Sequence, residues 1–541
     1  MKGIYEKADQ IIIWLGPATA PLRNSAGEPI FGDSSLAISI FKQISNKSIE
    51  EPDQDITDRM AATLALCHKL LASADSAGNL GAVASFLSNR YWSRVWCLQE
   101  GSTPDAPRFK CPMIWCGADR IQIRDVVLAS SYLSKMRNLP GYVDMVVDFN
   151  FKRMAYVRHR RIKVKELGGV SLLDLLSKGR GMEATDAKDK VFGVWGIVYP
   201  ETAGGLVVDY ERTVEDVYMD LVKWHVEKTR SLDVMGLCGM RGLGLQERLP
   251  SWAPDLTVES AQPFAKEFHH ITNLNEKVYD ACKGKQGKVG FDGNIMVLEG
   301  IIFDKITKVS FPRSTAGGTG EEVTDAWMKF AVSDAGEEEY ITGASKLEAF
   351  QHTLVADLSD KDFSSRRGER FSWGGFDETA TNAFMQILAA NANVEGQVPD
   401  GLWHREEIEG DEELDYEDYD EEDEEGEEDM DNELNELSDG IDEAACPSDI
   451  FRTPTQVHII TMYRRLVWTE KGYLGLAPAA ANVGDIIFIL FGGSVPFVLR
   501  ADESSSRQQQ NFRLIGECYV HGAMDGEALG DDRESIEVRI S

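Results

Sequence analysis

The sequence predicts a multi-domain α+β protein, in which an α/β layer is followed by a helical region and then by a small antiparallel β barrel or sandwich. Three observations predict this order. Residues 10–16 form an apolar run closed by Gly-Pro, residues 118–256 carry apolar side chains at helical spacing, and after residue 290 the apolar period changes to two. A chain of 541 residues, of which 43% are hydrophobic, is long enough to build several buried cores.

The α/β layer is indicated by two short apolar strands on either side of a helical pattern. A strand buried on both faces is expected at residues 10–16, because residues 11–15 are all apolar. Residues 58–74 have the spacing of an amphipathic helix, and residues 113–116 predict a second short buried strand. The helical stripe consists of Met60, Leu64, Cys67 and Leu71.

Two helices of the following region begin with residue pairs that are typical of capping boxes. Ser171 and Asp174 are expected to open a helix over residues 172–178, and Thr213 and Asp216 to open another. The second helix carries one apolar face, made of Val214, Val217, Tyr218, Leu221 and Trp224. We interpret these aromatic residues as core residues rather than as cofactor contacts.

The C-terminal region has the period of β-strands. Strands are expected at residues 294–309, 486–490 and 512–521, and helices at residues 345–358 and 379–390. In the last strand, alternation predicts two faces: Phe512, Leu514, Cys518 and Val520 on one, and Arg513, Glu517 and His521 on the other. Gly and Pro at short intervals favour a small antiparallel barrel or sandwich.

The net charge of −34 is concentrated in one segment. Residues 406–442 hold 23 acidic side chains and no basic one, which leaves −11 on the rest of the chain. Such a segment cannot bury apolar area, so a solvated acidic insert is expected at residues 406–447. The alternative is that this segment binds basic partners.

A basic cluster at residues 152–165 is interpreted as a solvated helix face, because few aromatic residues interrupt it and the surrounding chain is acidic. Binding of nucleic acid or another anion is one alternative. Contact with the acidic insert is a second.

Several classes of protein are excluded by what the sequence lacks. No apolar run approaches the roughly 20 residues of a membrane span, no signal region follows Met1, and the eight cysteines contain no CxxC pair. There is no Walker A loop, GxGxxG turn, GxSxG elbow or HExxH motif. The sequence therefore predicts a cytoplasmic protein without a cofactor or a metal site, and without a membrane or nucleic-acid partner.

The most informative stretch is residues 90–100, with the sequence RYWSRVWCLQE. Its aromatic residues and Val95 recur at helical spacing, which would pack the stretch on a sheet. It ends in a lone carboxylate, Glu100, near the strand ends where ligand clefts open in α/β proteins. On the residues alone, Glu100 is interpreted as a cap or an ion-pair member before it is interpreted as a catalyst.

Several blocks, in one order along most of the chain, resemble the heterokaryon-incompatibility (HET) family of filamentous fungi. Residues 1–16 resemble the family block MxxIYxxA followed by WLG, and residues 90–100 resemble RPWFxRVWxxQE, with Tyr91 where proline is usual. Further similar blocks lie at residues 186–193, 209–210 with 217–218, 249–255, 475–478, 484–485, 496–500 and 516–522. The residues that carry the motifs are Trp14, Leu15, Gly16, Arg90, Trp92, Arg94, Trp96, Gln99, Asp189, Pro250, Ser251, Trp252, Pro254 and Asp255.

The resemblance implies a TIR-like fold and a role in non-self recognition, in which programmed cell death is triggered through protein partners in incompatibility signalling. NAD-cleaving TIR enzymes carry a glutamate in a WCLxE block, and residues 96–100 read WCLQE. The resemblance would make Glu100 the catalytic residue that steadies the oxocarbenium-like ribosyl centre, with NAD as a substrate only. Trp96 and Arg94 would then be packing residues.

Two blocks that open other HET domains are missing before Met1, so the resemblance implies an N-terminally truncated domain with an exposed sheet edge and weakened catalysis. Beside the incompatibility role, two functions stay open: an NAD-cleaving enzyme, and a catalytically inactive binding or regulatory protein. The expected regions are a partial HET domain at residues 1–117, a helical extension at 118–256, a mixed α/β region at 257–405, the acidic insert at 406–447 and a C-terminal antiparallel β region at 448–541.

Overall fold

The structure is a computed structural model that describes the chain in segments. The described residues are 8–18, 22–23, 29–31, 33–50, 56–71, 77–102, 111–133, 149–163, 170–198, 206–239, 248–258, 263–264, 278–313, 320–332, 339–357, 457, 460–503, 510–530 and 534–541. The expected acidic insert and the helix expected at residues 379–390 lie outside them. Within these segments, no helix is both long and apolar enough to cross a membrane.

The N-terminal part contains a three-stranded sheet and a separate hairpin. The strands are β1 (Ile12–Trp14), β2 (Leu22–Arg23), β3 (Pro29–Phe31), β4 (Met113–Cys116) and β5 (Asp119–Gln122). The central strand β4 pairs in parallel with β1 and antiparallel with β5, while β2 and β3 form the hairpin. The parallel pair surrounded by helices confirms the α/β character of this part.

The prediction that β1 is buried on both faces is wrong. Ile13 is 1% exposed, whereas Ile12 is 46% exposed and Trp14 is 54% exposed. In the described sheet β1 lies at the edge and is covered on one face only. An apolar run alone therefore did not distinguish a strand covered on both faces from a strand covered on one face.

Helices contain most of the described residues in the first half of the chain. They are α1 (Ser34–Ile49), α2 (Ile56–Leu71), α3 (Ala77–Leu87), α4 (Cys97–Gly101), α5 (Ile123–Leu133), α6 (Phe149–Lys163), α7 (Leu172–Gly179), α8 (Asp189–Trp195) and α9 (Val214–Thr229). The predicted helix at residues 58–74 is confirmed as α2, which buries Met60, Cys67 and Leu71.

The two predicted capping boxes have different outcomes. At α9, the Thr213 hydroxyl accepts from the Asp216 amide at 3.1 Å and donates to the Asp216 carboxylate at 2.7 Å, so this cap is confirmed. At α7, the predicted helix is confirmed, but the Ser171 side chain makes no capping hydrogen bond, so the predicted cap is wrong. The aromatic residues of α9 are core residues as predicted: Tyr218 is fully buried, and Trp224 packs edge-on against Trp195 at 4.8 Å.

The C-terminal part is built around a nine-stranded sheet. Its strands are β6 (Gly290–Asp292), β7 (Ile295–Val309), β8 (Arg464–Thr469), β9 (Leu474–Pro478), β10 (Ile486–Leu490), β11 (Phe497–Ala501), β12 (Asn511–Glu517), β13 (Tyr519–Val520) and β14 (Ile536–Ile540), and two helices, α10 (Gly320–Ala331) and α11 (Lys346–Leu354), precede β8. The long strand β7 pairs with β6, β14, β10 and β8 along its length. Because β10, β11, β12 and β14 pair in succession, the sheet closes on itself through β7, which confirms a barrel-like β region in a mixed α+β protein.

The two faces of the C-terminal sheet contribute side chains to two different apolar clusters. The main core contains the N-terminal helices and residues such as Phe488 and Phe512, whose rings lie 5.2 Å apart. A second group, the sheet cluster, is formed by the other face of the strands and includes Ile487, Ile515 and Cys518. Burial on both faces explains why residues 486–490 are uninterruptedly apolar.

A β-bulge overturns the predicted faces of the last strand. On β11, Val498 lies opposite Gly516 but Leu499 lies opposite Leu514, so Ile515 is an extra residue. Phe512 and Leu514 consequently pack in the main core, whereas Cys518 and Val520 pack in the sheet cluster. The four residues do not share a face.

The same strand buries an ion pair. Arg464 Nη2 lies 3.2 Å from Glu517 Oε1, with the two side chains 2% and 3% exposed. Arg464 also donates to the Ile460 carbonyl at 2.7 Å, and its guanidinium lies 3.7 Å from the centre of the Phe264 ring. Burial lowers the pKa of Arg464 to about 10 although Glu517 opposes the shift, so the guanidinium stays charged at neutral pH.

We expect Glu517→Gln to lower the free energy of unfolding by about 3 kcal/mol, because it leaves a buried guanidinium without its counter-charge. Urea unfolding followed by tryptophan fluorescence measures the change. The control is Glu50→Gln, which removes the exposed partner of Lys47 and should cost no more than about 1 kcal/mol. Equal losses in the two variants would contradict the assignment.

Candidate functional site

The stretch that carries Glu100 is fixed at the carboxyl end of β1. The Asn89 side chain donates to the Leu15 carbonyl at 3.1 Å and accepts from the Tyr91 amide at 2.9 Å, which starts a 3-10 turn over Arg90–Ser93. Helix α4 follows. It has only five residues, and Glu100 is the fourth of them. The stretch therefore lies where a parallel pair of strands ends, which is the usual position of ligand sites in α/β folds.

The Glu100 carboxylate is half-buried and is hydrogen-bonded by a residue that the sequence did not single out as functional. The Tyr91 hydroxyl donates to Glu100 Oε2, and the Tyr91 ring stands edge-on to Trp92 at 4.9 Å. Burial, followed by the charge of Glu100 and the hydrogen bond to it, raises the pKa of Tyr91 well above its ordinary value. The departure from the family pattern at position 91 was the signal that could have pointed to this contact.

The other motif residues in the stretch 90–99 form packing contacts, hydrogen bonds or ion pairs that hold the stretch in place. Trp92 is fully buried and donates to the Phe86 carbonyl at 3.1 Å. Arg94 lies with its guanidinium 5.9 Å from the centre of the Tyr91 ring, and Arg90 forms an exposed ion pair with Glu183 at 3.4 Å. Backbone bonds to Glu183 on both sides of Arg94 hold the turn in place.

At the end of β1, Leu15 is buried and Trp14 is exposed. Gly16 has φ of 100°, which favours glycine and lets the chain turn away from the strand. The Gly16 carbonyl accepts from the Gly117 amide at 2.9 Å, which continues the pairing of β1 with β4.

Helix α8 packs directly on this stretch. The Asp189 carboxylate accepts from the Trp96 indole at 3.1 Å and from the Tyr210 hydroxyl at 2.6 Å, so three separate sequence blocks meet at one side chain. A Cβ on Gly193 would stand 3.1 Å from Val95. A larger residue at position 193 would require Val95 to shift, so glycine favours the close approach of α8. Gln99 is 2% exposed within the same packing.

The interpretation of residues 152–165 as a solvated helix face is wrong for at least part of the cluster. Arg158 is 1% exposed and lies within 3.5 Å of the Gly101 carbonyl. Arg161 donates to the Ser102 hydroxyl at 3.1 Å. These cations lie at the carboxyl end of α4, where a positive charge is favourable. Lys152 is exposed as expected, and residues 164–165 lie outside the described part of the chain.

The motif residues at 250–255 lie elsewhere, at the junction between the helices and the C-terminal sheet. The Ser251 hydroxyl accepts from the Leu514 amide at 2.9 Å and donates to the Ser541 backbone oxygen. Trp252 is fully buried and donates to the Asn294 carbonyl at 2.8 Å, beside β6 and β7. These residues attach the segment to three strands. Pro250 and Pro254 are buried on either side of this contact.

Arg180 fixes the other side of the junction. Its guanidinium donates to the carbonyls of Val258 at 2.6 Å, Leu237 at 2.5 Å and Asp255 at 2.5 Å. Burial lowers its pKa to about 10. The Asp255 side chain accepts from the Thr257 amide at 2.9 Å and so shapes the turn that presents these oxygens.

The predicted site residues thus form two groups. Residues 90–100 and Asp189 come together around α4, whereas residues 250–255 form a structural junction. Within the part of the chain that the structure describes, no group of three or more His, Cys, Asp or Glu side chains is arranged to hold a metal ion. The chemistry that the first group can offer is that of a half-buried carboxylate with a phenol beside it.

Comparisons with known proteins point to one class. Residues 405–537 match the family model of the Het-6 beta-barrel domain. The heterokaryon incompatibility protein 6, OR allele, of Neurospora crassa is 37% identical over 71 residues, which cover 13% of this chain and 10% of that protein. The similarity thus spans a tenth of the length of that relative. No solved structure matches the chain.

Ser251→Ala tests the junction. It leaves the Leu514 amide without its side-chain acceptor, so we expect the free energy of unfolding to fall by about 1–3 kcal/mol. Chemical denaturation measures the change. Ser39→Ala, at an exposed position on α1, is the control and should change stability by less than about 0.5 kcal/mol. A junction that tolerates Ser251→Ala as well as Ser39→Ala would not depend on this hydroxyl.

Glu100→Gln tests the contact with Tyr91. Without the negative charge, tyrosinate forms more readily, so the pKa of Tyr91 should fall while staying above its ordinary value, because burial is the larger cause of the shift. The readout is the ¹⁹F NMR titration of protein labelled with fluorotyrosine, in which Tyr91→Phe identifies the resonance. An unchanged midpoint for Tyr91 would argue against the contact. The resonance of Tyr340, in the C-terminal part, should not shift and serves as the internal control.

Proposed function

We propose that the chain acts in fungal non-self recognition, as an incompatibility protein similar to the heterokaryon incompatibility protein 6. The observation that carries this proposal is the match of the C-terminal residues to the Het-6 beta-barrel domain. The short stretch of 37% identity to the Neurospora crassa protein supports it. In this role, incompatibility signalling runs through protein partners and ends in programmed cell death.

The packing of the two parts supports a single signalling body. Buried residues of the helices and of one face of the C-terminal sheet belong to the same core. Ser251, Trp252 and Arg180 bind strands or buried turns on both sides of the junction. A partner that binds the sheet therefore acts on the same packed unit as the stretch around Glu100.

A second candidate function is NAD cleavage through Glu100, and one observation favours it. The Glu100 carboxylate is half-buried on a short helix that follows the carboxyl end of β1, to which Asn89 ties the stretch. In the reaction, the bond between ribose and nicotinamide breaks, its electron pair leaves with nicotinamide, and water adds to the ribosyl carbon. Glu100 would stabilise the cationic ribosyl centre and take up the proton of the water.

The contact with Tyr91 bears on this candidate. One carboxylate oxygen of Glu100 accepts the Tyr91 hydroxyl, which reduces the negative charge that the carboxylate can offer to a ribosyl centre, and catalysis demands that charge. A binding or signalling role makes no such demand. For this reason we place recognition before catalysis.

Inducible expression in Neurospora crassa strains of different incompatibility genotype tests the main proposal, with hyphal death measured by dye uptake. We expect death in some genotypes with the natural sequence and with Glu183→Gln, a control that changes an exposed carboxylate near the same turn. If Glu100→Gln also kills, the role is one of binding. Viable hyphae in every genotype, with the protein accumulated and folded, would overturn the proposal.

The enzymatic candidate has a separate test with the purified chain. Release of nicotinamide from NAD is measured by chromatography for the natural sequence, Glu100→Gln and Glu183→Gln. Turnover that Glu100→Gln abolishes and Glu183→Gln retains establishes the hydrolase. Absence of turnover in folded protein leaves recognition without NAD cleavage.

A further inference from the structure

Within the described residues, the sheet of β1, β4 and β5 is covered on one face only. Ile13, Ile114 and Ile121 are paired across the three strands, are at most 2% exposed and lie in the main core. We call the other face the open face, and all six of its side chains are exposed or half-buried. They form two rows of paired residues. One row is Ile12, Met113 and Gln122, and the other is Trp14, Trp115 and Arg120.

Four of the six side chains on the open face are apolar, and they are neighbours. Ile12 and Trp14 lie on the same side of β1 and are each about half exposed. Met113 and Trp115 are half-buried beside them on β4. Single exposed apolar residues are common on protein surfaces, but a group of large ones marks an interaction site. Tryptophan in particular contributes strongly to affinity at such sites.

Arg120 adds a positive charge to the open face. Its guanidinium lies 4.1 Å from the centre of the Trp115 ring, and in the described part of the chain it has no carboxylate within ion-pair distance. Asp119, the preceding residue, accepts from the Ser35 hydroxyl of α1 on the covered side of the sheet. The buried Trp115 Nε1 also has no acceptor among the described residues. The pair therefore offers hydrogen-bond donors and a cation, and it is suited to an anionic acceptor.

The strand pairing and the width of the open face indicate that a helix would cover it. Strands β1 and β4 are parallel, and parallel strands are almost always covered by helices on both faces. Neighbouring strands lie about 4.8 Å apart, so β1 and β5 are about 10 Å apart, which is close to the diameter of one helix with its side chains. One helix laid on the open face would therefore contact both rows.

A second copy of the same face does not meet the charge requirement. The open face carries one cation and no carboxylate. If two open faces packed against each other, Arg120 of each copy would lose water without gaining a counter-charge, which is costly. The occupant must therefore bring a carboxylate of its own beside its apolar residues.

We propose that the open face is a docking surface for an amphipathic helix of a partner protein. The apolar stripe of that helix packs on Ile12, Trp14 and Met113, and a glutamate or aspartate at the edge of the stripe pairs with Arg120. This inference does not rest on the proposed function, because it concerns a surface that the C-terminal family match does not include.

A library of displayed single helices, selected on the full chain, tests the charge preference. The library holds leucines constant at helical spacing and varies the positions beside them. We expect the natural sequence to enrich Asp and Glu at the varied positions, and Arg120→Glu to enrich Lys and Arg instead. Arg513→Glu, at an exposed position on β12, is the matched control and should select as the natural sequence does. A charge preference that Arg120→Glu leaves unchanged would overturn the proposal.

The affinity of a selected helix tests the apolar contact. Trp14→Ser should weaken binding by roughly tenfold or more, as expected for a tryptophan at the centre of an interface. Phe311→Ser removes another exposed aromatic side chain, 78% exposed and outside the open face, and should leave the affinity unchanged. Fluorescence anisotropy of the labelled helix measures both variants, and equal affinities in the two would contradict the assignment.

Hydroxyl-radical footprinting distinguishes a partner helix from the other occupants. In the dilute chain alone, Trp14 should be oxidised readily, whereas the fully buried Trp252 should not. Addition of the selected helix should protect Trp14. Protection in the dilute chain alone would show that this chain covers its own open face, and protection that grows with protein concentration would assign the face to a second copy. Either result would overturn the proposal.

Discussion

Three carbonyl oxygens converge on one buried guanidinium, that of Arg180, and this contact holds the end of α7 against residues 255–258, which follow the segment that binds the C-terminal sheet. Lys190 is a second buried cation held by backbone oxygens. Its ammonium donates to the carbonyls of Gly179 and Arg180. A buried cation without partners is far more costly than a hydrogen bond is favourable. The end of α7, the turn before Cys238 and residues 255–258 must therefore come together, or these cations would have to leave the core. The position of residues 250–255, and with it the attachment of β6, β7 and β12, follows from that constraint.

The C-terminal sheet has a constraint of its own, which is the length of β7. Because this strand of 15 residues pairs with four others, it closes the sheet without an additional element. Closure leaves few free strand edges, and it buries both faces of β10. The strands at residues 290–309 and those after residue 460 are thus one sheet, although a long stretch of sequence separates them. The family match begins at residue 405, so its range omits the strand that holds the others together.

Much of the secondary structure could be predicted from the periodicity of apolar residues, because that periodicity reflects which side chains are buried locally. The α/β order, helix α2, the Thr213 cap and strands β7 and β10 were all visible in the pattern of apolar residues. What failed depended on partners distant in sequence. Ile12 and Trp14 are exposed because one face of β1 is not covered, and the run of apolar residues does not contain that information. Glu517 is buried because a bulge at Ile515 changes the alternation and because Arg464, 53 residues earlier, supplies the opposite charge. Arg158 is buried for a similar reason, since the end of α4 provides the oxygen that it needs.

The site residues illustrate the limit of motif reasoning more sharply. Most of the motif positions form packing contacts: Trp92 and Trp252 fill the core, Asp189 joins three blocks, and Ser251 caps two strands. Motifs of this kind specify a scaffold, and a scaffold does not determine a reaction. Glu100 differs from them because its carboxylate is half-buried and its phenol partner, Tyr91, makes hydrogen-bonding chemistry available at a strand end. The same hydroxyl that positions the carboxylate also draws on its negative charge, so the contact that would orient Glu100 for catalysis weakens the stabilisation that it could give to a cationic ribosyl centre. A role in recognition does not depend on that charge, which is the physical reason to rank it first.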